Sequence, residues 1–353
     1  MTPRGTDWSL AALVLLGCAT GALTLFAGSP SEAWVFAVHG ICGLALAAVV
    51  GWKVRRVWPR MTRPARWDAR TGGGLVAVAI VALALLSGVA WASGADVNFG
   101  GYGLLNWHFA LGAVLGLAVL GHALLRAKRP RRRDLAGRRQ LLATAGVGVF
   151  AVIAWRAERS LARLLGARGA DRRFTGSYEA ASFQGNAFPA TSWVADAPRP
   201  LEEGSYRLRV DGMVAGPLDL PLAALQAGDE LAATLDCTGG FYSTQRWSGA
   251  ELGRLLDLAA PLPAATHLRV VSITGYRWSF ALEDARSMLL ATSVSGEALS
   301  HDHGAPARLV APGRRGFQWV KWVTRLELGD GPDPGAAAST VWSSFTPEGR
   351  GSA

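Results

Sequence analysis

The sequence predicts two domains of different class: a membrane α-helical bundle of four to five spans, followed by a soluble α+β domain built mainly on a mixed β-sheet. Three observations predict this. From Trp8 to about Trp155 the chain is mostly apolar runs broken by arginine clusters, whereas after Phe174 it carries the aspartates, prolines and turn residues of a globular domain. The early runs approach the length that crosses about 30 Å of hydrocarbon. The later ones are short and rich in β-branched and aromatic residues, as strands are. The 353 residues accommodate both parts. Expected boundaries are 1–130 for a four-helix bundle, 131–173 for a fifth segment and linker, 174–330 for the soluble domain, and 331–353 for a flexible Gly-, Pro- and Ser-rich tail.

The spans fall at about Trp8–Gly28, Ala33–Trp52, Gly73–Ala92 and Leu104–Leu125. A fifth, Leu141–Trp155, is shorter at about 15 residues, a tight span or an export-signal core. The net charge of +10 would suit a nucleic-acid partner. Its placement argues otherwise: arginines crowd Lys53–Arg70 and Arg126–Arg139 beside apolar runs, as in cytoplasmic loops of membrane proteins. The expected partner is therefore membrane lipid and not nucleic acid. With those loops inside, the amino terminus is cytoplasmic, Ser29–Glu32 and Ser93–Gly103 are outside, and a fifth crossing delivers the soluble half to the outer face of the inner (cytoplasmic) membrane. GRRQLLATAG, before the fifth segment, resembles a twin-arginine export signal. Arg156, Arg159, Arg163, Arg168, Arg172 and Arg173 would then lie outside, against the positive-inside tendency. A fifth segment lying flat would instead leave the soluble half cytoplasmic.

In the soluble half, YRLRVDGMV, LRVVSITG, RWSFAL, ARLVAP and WVKWVTRLEL read as strands, and LPLAALQAG and AELGRLLDLA as helices. Cys18 and Cys42 lie in apolar segments, leaving Cys237 unpaired in this half, so no disulfide framework supports it. Cys237 ends a short apolar stretch and meets Thr238, Gly239 and Gly240, which cannot continue a strand. A lone thiol is often a small buried hydrophobe. This polar, Gly-rich setting suits a metal ligand or nucleophile at least as well.

His39, His108 and His122 fall inside apolar spans, where polar side chains are costly and mark function. His39 and His108 lie at similar shallow depth in segments of the same direction and can act as the two axial metal ligands of a b-type haem. His122 stands 14 residues beyond His108, about 21 Å along a helix and near the same face, as a second stacked site requires. The matching position after His39 is Lys53, so that inner site is incomplete. VHGICGLALAAVVGWK and WHFALGAVLGLAVLGH resemble the four-helix, bis-histidine membrane cytochromes of the cytochrome b type. The alternative is that these histidines only bond across helices.

A second stretch, SGEALSHDHGAPARLVAPGRRGFQWVKWVTRLEL, supplies an imidazole, a guanidinium and an ammonium around glycines that let backbone approach a ligand. Arg308 and Lys321 suit a phosphate, by fork and by point charge. Thiolate ligation alone does not choose the metal. This stretch and the cysteine loop resemble the molybdopterin-binding domain of the sulfite oxidase family, which includes the periplasmic methionine sulfoxide reductase catalytic subunit. The resemblance covers about Phe183–Leu328 and implies a molybdenum–molybdopterin cofactor, with Cys237 as the catalytic protein ligand on the metal. It further implies that His303, Arg308, Trp319, Val320 and Lys321 hold the pterin and its phosphate. SFQGNAFPATSW matches a pterin-contacting segment and points to Asn186, while Ser272 falls where another contact is expected. His301 reads as a solvent-facing loop residue.

Sulfite oxidases follow this cysteine with an arginine-bearing loop. Here the loop is TGGFYST, with no cation before Arg246, and the chain continues only briefly after VKWVTRLEL. The expectation is a membrane-anchored molybdenum oxidoreductase with an extracytoplasmic catalytic domain. It would exchange electrons between a b-haem and quinone (or another carrier) and a small substrate, an S- or N-oxide. Phe241, Tyr242 and Trp247 would line the pocket. Alternatives are a sulfite-oxidase-like dehydrogenase and a non-catalytic ligand-binding membrane protein.

Overall fold

Five apolar runs become helices: α1 (Pro3–Thr24), α2 (Ala33–Met61), α3 (Ala69–Ser93), α4 (Leu104–Arg126) and α5 (Arg138–Leu164). All five are long and apolar enough to cross a membrane. The computed structural model describes residues 1–67, 69–95, 97–100, 102–126, 134, 137–191 and 196–345. The chain divides into two compact units, Met1–Tyr178 and Glu179–Ala353.

In the first unit α1 packs on α2 and α4, α3 on α4, and α5 on α2. Val14, Leu46, Val81 and Leu115, one from each of α1–α4, form its buried centre, while Leu86, Leu117 and Leu124 face outward. Apolar residues all round a helix mark either a buried core helix or a membrane span. Pro3 opens α1, and the Thr2 hydroxyl accepts the Gly5 N–H at 2.9 Å as its N-cap.

The fifth segment is longer than the expected Leu141–Trp155. Its helix has 27 residues, because the Ala-, Arg-, Glu- and Leu-rich run after Trp155 is a good helix former. It ends before Gly166, whose φ of +63° suits glycine at a helix terminus. The arginines that strain the charge rule have partners here. Arg172 clasps the Glu158 carboxylate with Nη2 and donates from Nη1 to the carbonyls of Ala92 and Gly169. The linker folds onto the bundle. Phe174 meets Phe36 edge-on at 5.7 Å and Tyr178 meets Trp91 at 5.3 Å, so this unit extends to Tyr178 instead of ending at 173. The expected boundary at 130–131 lies outside the described residues.

The second unit contains β1 (Arg207–Gly212), β2 (Leu218–Pro221), β3 (Asp229–Asp236), β4 (Phe241–Glu251), α6 (Leu252–Ala259), β5 (His267–Ser272), β6 (Arg277–Ala281), β7 (Leu289–Val294), β8 (Glu297–Ala298), β9 (Arg308–Val310) and β10 (Val323–Gly329). One sheet runs in the order β2–β1–β10–β5–β6, with only β1 and β10 parallel. The other is centred on β4, which pairs antiparallel with β3 and β7, and β7 pairs in turn with β8 and β9. The two sheets and α6 enclose a core that includes Leu208, Trp247, Leu290, Trp319 and Leu326. In α6, Leu252, Leu255, Leu256 and Ala259 are buried at helical spacing.

Three expectations are corrected. FYSTQRWSGAE forms the 11-residue β4, which polarity hid, because its buried face carries Ser243 and Gln245 beside Trp247. Gln245 is satisfied there, donating to the Ala181 carbonyl at 2.7 Å and the Ser243 hydroxyl at 2.8 Å and accepting from Ser295. WVKWVTRLEL is a strand only from Val323, since Trp322 takes a left-handed φ of 51°. The tail is not loose throughout. Ala336–Trp342 is helical, and Ser343 donates to Asp196 at 2.9 Å.

Candidate functional site

Cys237 sits in the β3–β4 hairpin, where the chain must reverse. Its N–H donates to Phe241 O at 2.8 Å, Gly240 N–H returns to Cys237 O at 3.1 Å, and Gly240 has a φ of +99° that favours glycine. The thiol is buried, at 8% exposure, and its sulfur lies 3.3 Å from both the Thr191 hydroxyl and the Gly239 N–H. Beneath it, Arg315 pairs with Asp236 at 2.6 Å and donates to the Cys237 carbonyl at 3.4 Å, with both side chains of the pair almost wholly buried. A Cβ on Gly316 would stand 3.0 Å from Cys237 Cα, so a side chain there would press on the cysteine.

Two cations stand nearby. Arg308 is 2% exposed, between the indoles of Trp247 and Trp319 at 5.1 and 5.7 Å. Its Nη1 donates to His303 O at 3.0 Å, while the buried Nε has no hydrogen-bond partner among the described residues. Burial pushes Arg308 down to about 10, with Cys237 acting in the opposite direction. Lys321 donates to the carbonyls of Thr191 at 2.9 Å and Asp302 at 2.6 Å. Burial and then Arg308 push it down to about 8. A Cβ on Gly304 (φ +108°) would lie 3.0 Å from Lys321 Cβ and 3.1 Å from Arg308 Cβ, so the two cations flank one left-handed glycine. Among the described residues neither forms an ion pair, and buried charge without a counter-charge is costly. An anionic ligand meets that need. The adjoining cleft is lined by Thr191, Asp196, Ser272, Tyr276, Gly316, Phe317, Trp319, Lys321 and Trp322.

Residues 195–337, which contain the cysteine, both cations and most of this cleft, match the family described as oxidoreductase molybdopterin binding domain. The second unit is a molybdopterin-binding oxidoreductase domain. It is 30% identical over 186 residues to the protein-methionine-sulfoxide reductase catalytic subunit MsrP of Gluconobacter oxydans, covering 46% of this chain and 56% of that one. It is 30% identical over 182 residues to sulfite oxidase of Gallus gallus (42% and 40% covered), and 30% over 159 residues to nitrate reductase [NADPH] of Aspergillus niger (36% and 18%). The chain thus spans about half of the first relative's length or less, and the domain is homologous to enzymes of different substrates.

Within the molybdopterin domain, Cys237, Arg308 and Lys321 come together, while Ser272 lines the cleft with Trp319 and Lys321, its hydroxyl accepting from Thr274. Val320 is buried, its carbonyl taking the Leu309 N–H at 2.8 Å. Asn186 is occupied by the chain itself, donating to Glu297 and Ala298 and accepting from Ser300 N–H. Both nitrogens of His303 are engaged, Nε2 with Phe188 O at 2.9 Å and Nδ1 with the Ser300 hydroxyl at 2.7 Å. These bonds brace the loop whose His303 carbonyl accepts from Arg308. His301 is not solvent-facing: it reaches Pro198 O at 2.9 Å and packs on Trp322. Trp247 is core as well as a wall for Arg308. Phe241 and Tyr242 are half-buried on β4 outside the cleft lining. Ser192 and Trp193 of the amino-terminal segment lie outside the described residues.

Thr191, Asp196 and the Asp236–Arg315 pair escaped sequence reasoning. The Arg314–Arg315 doublet reads as two surface charges, yet Arg314 pairs with exposed Asp284 while Arg315 is buried.

Burial pushes His303 down to about 4 from an ordinary 6.5, with Arg308 and Lys321 adding to it. The unfolded chain therefore binds the extra proton between those values, and the stability that neutral His303 contributes is lost as pH falls from about 6.5 to 4. The expected loss is on the order of 3 kcal/mol. Chemical denaturation at pH 7 and pH 4.5 checks it: His303→Gln should be less stable at pH 7 and flatter across the window, whereas an unchanged slope would refute the assignment.

In the bundle, His39 (α2) and His108 (α4) face each other with ring centres 6.0 Å apart and planes at 88°. His39 Nδ1 lies 3.1 Å from Gly17 O, and His108 Nδ1 lies 2.9 Å from Ala84 O. Carbonyls only accept, so Nδ1 carries the proton of each neutral ring and Nε2 keeps its lone pair. Neither Nε2 has a hydrogen-bond partner among the described residues. His122 is exposed, and Lys53 pairs with Asp7 at 2.8 Å.

Proposed function

We propose that this chain is a membrane-anchored molybdenum oxidoreductase that draws electrons through a b-type haem in its bundle and reduces a small S- or N-oxide at Cys237. The observation that carries the reading is a buried cysteine sulfur close to a buried arginine and a half-buried lysine, neither in an ion pair among the described residues, inside a molybdopterin-binding fold. The molybdenum cofactor supplies two-electron oxygen-atom chemistry when bound. The chain's residues do the holding. Cys237 offers the one protein sulfur for the metal, with Thr191 and Gly239 fixing its direction and Arg315 fixing the backbone beneath. Arg308 and Lys321 would neutralise the cofactor's phosphate, with the guanidinium held between the indoles of Trp247 and Trp319. Among the described residues no group of three or more His, Cys, Asp or Glu gathers to hold a metal, so the remaining ligands come with the cofactor.

Substrate charge follows from the walls. The loop after Cys237 carries no cation up to Arg246, and Asp196 places a carboxyl group on the cleft. Both disfavour an anion such as sulfite and favour an uncharged oxide.

The haem reading rests on the histidine pair. His39 and His108, with ring centres 6.0 Å apart, would hold the haem iron between their imidazoles. A Cβ on Gly21 would stand 3.2 Å from His39 Cε1, and one on Gly88 would stand 2.9 Å from His108 Cε1, so both rings rest on glycines with no room to spare. The Lys53–Asp7 pair occupies the place an inner ligand would need, which favours one haem over two. Quinone is the proposed membrane-side donor, and an outward-facing domain is the proposed topology, supported by a fifth apolar helix after arginine-rich loops.

Metal analysis and reduced-minus-oxidised spectra of the detergent-purified chain test both halves. Near one molybdenum per chain and a b-type band that His39→Ala abolishes are expected. Absence of molybdenum would end the enzyme reading, and a band that survives the substitution would end the haem assignment.

A further inference from the structure

The two histidines are held by the same device, built twice. In α1, Gly17, Thr20 and Gly21 stand at positions i, i+3 and i+4; in α3, Ala84, Ser87 and Gly88 do the same. In each case the carbonyl at i and the hydroxyl at i+3 lie on the histidine's Nδ1. Thr20 Oγ1 is 3.2 Å from His39, and Ser87 Oγ is 3.1 Å from His108. Each hydroxyl has its own hydrogen committed to helix backbone, Thr20 to Leu16 O at 2.8 Å and Ser87 to Ala84 O at 2.9 Å. Its oxygen lone pair is thereby left for the imidazole N–H. The helix pairs α1–α2 and α3–α4 are thus equivalent hairpins, each presenting one imidazole with Nδ1–H shared between two acceptors.

We infer that Thr20 and Ser87 are matched positioning residues that set ring orientation and raise the basicity of His39 and His108 toward a metal ion held between them. This rests on the haem reading above. A hydroxyl in an apolar helix ordinarily only bonds back to its own backbone; here the same atom also touches the ligand. Acceptors on the far nitrogen of a metal-bound imidazole make it a stronger donor and fix its tautomer. A stronger donor stabilises the ferric over the ferrous ion, so removing the hydroxyls raises the midpoint potential.

The test is spectroelectrochemical titration of the detergent-purified full chain. Thr20→Ala and Ser87→Ala should each move the b-band midpoint to higher potential, with the double variant showing roughly the sum. Thr20→Ser, which keeps the hydroxyl, should titrate like the unaltered chain. The thermal unfolding of each variant reports separately on the helix packing. A full-height band at unchanged potential in the double variant would overturn the inference. A shift in Thr20→Ser equal to that in Thr20→Ala would overturn it too, because it would mark a packing effect. Absence of any b-type band in the unaltered chain would instead strike the haem reading itself.

Discussion

Cys237→Ser is expected to abolish substrate reduction while leaving the fold in place. Loss of a support around a metal's ligands already costs 10–100-fold in affinity or activity, and this substitution removes the ligand atom itself, so turnover should fall by more than about 100-fold. Serine preserves the hairpin, because what fixes the turn is backbone: Cys237 N–H to Phe241 O, Gly240 N–H to Cys237 O, and Gly240's left-handed φ. Thr191 and Gly239 would still have an atom to meet. Unfolding of the variant should therefore match the parent while activity is lost. Full activity in Cys237→Ser would remove the central assignment.

Asp236→Asn is expected to be the most destabilising single change near the site. It leaves Arg315, only 4% exposed, without its buried counter-charge at 2.6 Å. Breaking a buried pair from one side costs about 3–5 kcal/mol, on the order of 10 °C in the unfolding midpoint of a domain this size. Asp236 and Arg315 also bridge two backbone segments directly, so slippage there displaces the Cys237 carbonyl held by Arg315. Pairing the change with Arg315→Met should recover much of the stability, since removing both charges is often close to neutral, but not the cysteine's position. Thermal unfolding of the single and double variants, with metal content measured alongside, separates these effects. Equal stability of Asp236→Asn and the parent would show that the pair holds nothing.

Much of this was legible before any coordinates. Span lengths marked α1 to α4, β-branched runs marked β1, β5, β6 and β9, and the spacing of Leu252, Leu255, Leu256 and Ala259 marked α6. Cys237 stood out because glycines follow a strand there, and His39 and His108 because imidazole is expensive in an apolar helix. What stayed hidden depends on partners distant in sequence. β4 buries Ser243 and Gln245, whose polarity reads as exposure until Ala181 and Ser295 arrive to bond them. Arg315 is indistinguishable from Arg314 until Asp236 is placed against it. Thr20 and Ser87 look like ordinary hydroxyls in a span, and only folding puts an imidazole on each.

One contact ties α5 to the histidine-bearing wall of the bundle. Trp155 of α5 lies against Gly40, the neighbour of His39, at a separation that leaves no room for even a methyl group without displacing the indole. Helix α5 is therefore fitted against the wall beside that histidine. Shortening that indole would open a gap next to the imidazole, so α5 contributes to how firmly His39 is held although it carries no histidine of its own.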